Sequence, residues 1–162
     1  MDNVKNCSSK KCAVTCIISV IAVFIFTLAF DWLVNGHLLS GLYMQSQSVF
    51  RPMSEMDNFM PWCLAFHFFM ALVVTCMFKN YKNYSPEACA ADPALAKKCT
   101  PCARGICFGV HLGLIFGLGM FATYIMFPIS LNLAGAMFAS GLVKGIGVGV
   151  VLSLFCKKKV AA

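Results

Sequence analysis

The chain has 162 residues, of which 60% are hydrophobic and 12% charged, and a net charge of +7. A soluble domain of this length needs far more polar surface to cover its core, so a mean hydropathy of +0.80 assigns the chain to a membrane. The basic excess does not indicate nucleic acid, because the lysines sit in short clusters between apolar runs rather than in one patch.

Four runs approach the ~20 residues that cross a bilayer. The first, residues 12–34, reads "CAVTCIISVIAVFIFTLAFDWLV". It is too long for the apolar region of a signal peptide and no small-residue cleavage site follows, which marks it as an uncleaved span. In the next segment, 35–59, His37, Leu38, Leu39, Leu42 and Tyr43 recur at about helical spacing. That pattern predicts a short helix at the headgroups or an extension of the first span, broken at Arg51-Pro52. Residues 60–78 form the second span, opened by Met60-Pro61-Trp62, and 79–105 a loop rich in lysine and cysteine. The third and fourth spans, 106–127 and 131–155, are joined by a connection so short that they must be antiparallel neighbours. The expectation is an all-α, polytopic protein forming a single membrane domain.

Lys5, Lys10 and Lys11 precede the first span, Lys79, Lys82, Lys97, Lys98 and Arg104 lie between the second and third, and Lys157 to Lys159 follow the fourth. The other two connections hold only Arg51. The positive-inside rule therefore predicts cytoplasmic termini, an external loop at 35–59 and a cytoplasmic loop at 79–105. All of the ten cysteines except Cys63 then fall in or near the cytoplasmic face, where thiols stay reduced.

Glycines give the strongest motif. Gly105, Gly109, Gly113 and Gly117 step by four along the third span, and Gly141, Gly145 and Gly149 along the fourth. Hydrocarbon supplies little hydrophobic drive between helices, so small residues that let backbones approach provide the packing. Counted outward from Ile129, Gly117 mirrors Gly141, Gly113 mirrors Gly145 and Gly109 mirrors Gly149, which predicts a tight glycine-packed hairpin. The Cys99-x-x-Cys102 pair is a weaker signal. A zinc site needs four ligands, and only Cys89 and Cys107 are at hand to complete it. No thioredoxin-like or iron–sulfur context surrounds the pair, so reduced, metal-free thiols are expected, with zinc or iron as the alternative.

His67 and His111 lie at depths that differ by roughly 12 Å, too far apart to share a haem. Asp31, His37 and His67 cluster towards the outer surface and could hold a metal, although a snorkelling carboxylate and hydrogen-bonded imidazoles are the simpler expectation. Lys144 is ~18 Å from either end of its span. A charge there costs at least ~2.5 kcal/mol and marks a functional site by default. Counted along the spans, Asp31 is too shallow to reach it. Lys144 is therefore expected to be neutral, to snorkel inward towards His111, or to meet an acid on another chain.

The runs "DWLVNGHLLSGLY", "FRPMSEMDNFMPW" and "FPISLNLAGAMFASGLVKGIGVGVV" resemble a family of small four-span bacterial inner-membrane proteins whose activity is not known. The resemblance implies membership and a bacterial inner-membrane location. The chain departs from the pattern in its longer cysteine-rich loop and in Lys144, where an acidic residue is expected. No nucleophile–base pair, phosphate-cradling loop or carboxylate dyad is present, which argues against an enzyme. The leading expectation is a helical subunit or oligomeric scaffold, with the lipid bilayer and other membrane chains or further copies of itself as partners, and no nucleic acid. Its rivals are a carrier or channel for an anion or proton through Lys144 and His111, and metal or redox sensing through Cys99 and Cys102.

Overall fold

The computed structural model describes residues 9–46, 49–50, 53–90 and 101–155, with side chains for these except 9–13, 53–54, 56–57, 82–90 and 101–102. Helix α1 (Ser9–Leu33) continues through a π-helical turn, Val34–Leu38, to a short α2 (Ser40–Met44). Then follow α3 (Met53–Ala90), α4 (Pro101–Met126) and α5 (Leu131–Phe155), and no strand occurs among the described residues. Four stretches are long and apolar enough to span a membrane: Val14–Leu38, Asn58–Tyr81, Ala103–Met126 and Leu131–Phe155. Each satisfies its backbone polar groups internally, as hydrocarbon demands.

After the first span the structure takes the alternative of an extension, and at the end of the second span the helix boundary differs from the sequence expectation. The first span runs on to Leu38 because the π turn keeps the backbone hydrogen-bonded, with the Leu39 N–H donating to Val34 O at 2.8 Å. The helix of the second span continues to Ala90, well into the segment expected to be loop. Hydropathy marks where lipid ends, whereas a helix ends only where its hydrogen bonding stops.

The helices pack in the order α3, α1, α5, α4, with α1 against α3 and α5, and α4 against α5 along its length. One end of the bundle carries the 34–52 and 127–130 connections and is called the hairpin end; the other is the terminal end. At the terminal half Val20, Val23, Ala71, Val74, Phe78, Phe108, Leu112, Val148 and Leu152 form one core drawn from all four spans. At the hairpin end Ile129, Leu133, Ala134 and Met137 form a second, covered by Leu42, Tyr43, Val49 and Phe50. The segment after α1 thus folds over the start of α5 instead of lying free at the headgroups. Ile17, Ile25, Phe69, Leu118 and Ile125 face outward, as lipid-facing side chains should.

Where α4 meets α5, the backbones approach more closely than side chains permit. A Cβ at Gly109 would lie 2.7 Å from Gly145 O, one at Gly113 2.7 Å from Leu142 O, and one at Gly141 2.7 Å from Gly117 N. A Cβ at Gly145 would strike the backbone of Gly113, and one at Gly149 that of Gly105 and Gly109. Ordinary carbon contacts need about 3.5–4 Å, so an alanine at any of these positions would force the helices apart. Gly147 makes room in the same way for the Phe26 ring of α1.

A candidate intramembrane proton site

Between the two cores lies a charged cluster built from three helices. Asp31 stands in the last turn of α1, His67 in α3 and Lys144 in the middle of α5. Lys144 Nζ donates to Asp31 Oδ2 at 2.5 Å, and His67 Nε2 lies 2.7 Å from the same oxygen. Asp31 Oδ1 is met by Asn35 Nδ2 at 3.4 Å, one helical turn on, and the Tyr43 hydroxyl donates to Asn35 Oδ1 at 3.3 Å. A polar chain therefore runs from α2 at the hairpin end down to the lysine. Burial raises the Tyr43 pKa above the ordinary tyrosine value, and the Asp31 carboxylate raises it further, so Tyr43 remains a phenol able to donate.

The pairing of Asp31 with Lys144 corrects the expectation that their depths are too different. Because the first span continues to Leu38, Asp31 sits about 10 Å inside the hairpin end instead of beside it. Lys144 is about 20 Å inside the same end. Side chains lean towards the N-terminus of their helix. In α1 that direction carries Asp31 deeper, and in the antiparallel α5 it carries Lys144 outward, so the two converge. The flexible lysine stem covers the remaining depth. The lysine thus has its acid in its own chain, and the ground for expecting one on a partner falls away.

His67 bridges Cys63 and Asp31. Its Nδ1 lies 2.8 Å from Cys63 O, to which an Nδ1–H would donate, and 3.6 Å from Cys63 Sγ, from which a bare Nδ1 would accept. Nε2 lies 2.7 Å from Oδ2, a hydrogen bond when either atom carries the proton. With both ring nitrogens protonated and Lys144 as the ammonium beside the carboxylate, the cluster would carry a net +1.

A cavity of about 280 Å³ adjoins the cluster. Asp31, Asn35, His67, Lys144, Thr27 and Ser140 give it polar groups, and Val23, Phe66, Met70, Ile115, Phe116 and Met120 apolar walls. Towards the terminal end the Val23–Val74–Phe78–Phe108–Val148–Leu152 core closes it.

The other residues singled out from sequence stand apart from the cluster. His37 is exposed, its ring edge-on to Trp32 at 4.6 Å, so the trio with Asp31 and His67 does not form. His111 is exposed and bonds its own helix through Nδ1 and Cys107 O at 2.8 Å; Lys144 turns away from it and lines a cavity that His111 does not. Cys107 Sγ accepts from the Tyr81 hydroxyl at 3.5 Å, and Cys16, Cys63, Cys76 and Cys107 are free thiols. Cys99 and the side chains of Cys89 and Cys102 lie outside the described residues. Among the described residues no group of three His, Cys, Asp or Glu is placed to hold a metal ion. Asn35 and Tyr43 were missed from sequence. The four-residue step from Asp31 gives Asn35 away, whereas Tyr43 reaches it only through the fold-back after the π turn.

Compared with family models, curated proteins and solved structures, the chain finds no match.

Proposed function

We propose that this protein is a small membrane carrier that binds a proton at the Asp31–His67–Lys144 cluster. One observation carries the reading: two basic side chains converge on a single carboxylate oxygen, beside a cavity and within the apolar length of the spans. Ionisable groups at such depth are costly and mark ion and proton paths. The lysine's charge is already balanced by Asp31, which makes a proton at the His67–Asp31 contact the charge that the site gains and loses. Polar contacts reach the cluster from the hairpin end, while the terminal half is a closed apolar core. A carrier whose terminal half opens in turn fits this arrangement better than a continuous pore.

The test is an imposed pH gradient across proteoliposomes holding a pH-sensitive dye, with the membrane potential clamped. Wild-type protein is expected to dissipate the gradient several-fold faster than empty vesicles, and Asp31→Asn to return the rate to that of empty vesicles. A wild-type rate equal to that of empty vesicles would overturn the proposal.

The lysine distribution and the resemblance to four-span bacterial proteins support placing the chain in a bacterial inner membrane with cytoplasmic termini. The Gly105–Gly117 and Gly141–Gly149 ridges belong to the same reading, as the packing that holds α5 and its lysine rigid. An impermeant thiol reagent applied to intact cells should leave Cys89 and Cys99 unmodified until the membrane is permeabilised. Their labelling in intact cells would reverse the orientation.

A further inference from the structure

The cavity beside the cluster is open on its flank. The ring of helices is closed everywhere except between α3 and α4, whose contacts gather at the terminal end, where Phe78 and Tyr81 meet the Phe108 ring at 5.1 and 5.5 Å. Nearer the hairpin end, cavity-lining side chains of the two helices stay open to the outside. Phe66 on α3 and Ile115 on α4 both line the cavity, yet are 61% and 62% exposed. Gly119, in the same wall, has open space where a side chain would be. At this depth in the spans the opening faces hydrocarbon, so a ligand would arrive sideways from the bilayer.

The polar side of the cavity is selective. The Thr27 and Ser140 hydroxyls donate to carbonyls of their own helices, at 3.0 Å to Phe24 O and 2.8 Å to Met137 O. Lys144 has one partner among the described residues, Asp31, which leaves two ammonium N–H groups unspent. The net +1 of the protonated cluster is balanced by one further negative charge. α4 adds no ionisable group to the lining, so nothing on that side repels an anion.

We infer that the cavity binds a single-chain amphiphile with a carboxylate head, a long-chain fatty acid drawn from the bilayer, with its head on Lys144 and its chain leaving between α3 and α4. The inference rests on the proton-carrier reading and names its cargo. About 280 Å³ is just below the usual range for small-molecule sites, ~300–1,000 Å³, which suits one head and the first part of one chain. Anion and site proton balance in charge, so the acid is carried in effect as R–COO⁻ with H⁺, and no covalent bond to carbon changes.

Full-length protein in phosphatidylcholine nanodiscs, titrated with radiolabelled palmitate, tests this. Saturable binding of about one palmitate per chain is expected, displaced by unlabelled palmitate but not by hexadecanol, which lacks the head, or butyrate, which lacks the chain. Lys144→Met and Gly119→Leu should each weaken binding at least tenfold. Should the lysine variant fail to fold, Gly119→Leu carries the test, because its Cβ meets nothing within 4 Å. Equal displacement by hexadecanol, equal displacement by butyrate, or unchanged affinity in Gly119→Leu would each overturn the assignment. A wild-type protein that dissipates a pH gradient yet binds no palmitate would sink this inference and leave the proton reading standing.

Discussion

Asp31 is the residue on which the site turns. Its Oδ2 serves Lys144 and His67 together and its Oδ1 meets Asn35, so one carboxylate organises three elements. Tyr43 is the outermost member of the chain. Its raised pKa means that the folded state holds the phenolic proton more tightly than the unfolded chain does. That contribution to stability is complete below the ordinary tyrosine value near ~10 and is lost only as pH rises through the higher folded value. Below that range Tyr43 keeps its proton and serves only as a donor to Asn35. At this scale the sequence was half legible. Lys144, Asp31 and His67 stood out because ionisable groups are rare in apolar spans. Their convergence did not, since counting residues along a helix gives the depth of a Cα and ignores the direction in which the side chain leans.

At the scale of elements, the α4–α5 hairpin is the part most open to test by substitution. Gly113 and Gly145 face each other at backbone contact, so Gly145→Leu must drive the two helices apart. Gly119 and Gly135 have open space in place of a Cβ, and Gly119→Leu is expected to fold normally. Thermal unfolding in mild detergent should show Gly145→Leu losing clearly more stability than Leu114→Ala, a lipid-facing truncation. Equal melting temperatures for these two variants would mean that the ridges do not hold the hairpin. The four spans were readable from hydropathy alone, and the short 127–130 connection named the third and fourth as neighbours. The continuation of α3 to Ala90 and the packing of Leu42, Tyr43, Val49 and Phe50 over α5 were not. Apolar residues in a loop look alike whether they meet lipid or another helix.

For the whole molecule, the feature that matters is an incomplete ring. α1 bridges α3 to α5, α5 holds α4, and the gap between α3 and α4 exposes a charged floor to the interior of the bilayer. Beyond the α4–α5 pairing nothing in the sequence gives that order, because it depends on which apolar faces meet, and all four spans are apolar nearly all round. The two cores above and below the cluster make its charges expensive to separate. Removing one partner from a buried pair strands the other, at about 3–5 kcal/mol. The most direct test of the cluster is therefore a double-mutant cycle on Asp31→Asn and Lys144→Met, read as unfolding stability of the full chain in mild detergent. Asp31→Asn should be strongly destabilised because it strands Lys144, Lys144→Met less so because His67 still partners Asp31, and the double variant should be no less stable than Asp31→Asn alone. Strictly additive losses would show that the two side chains do not meet, and would remove the foundation of the proposed proton site.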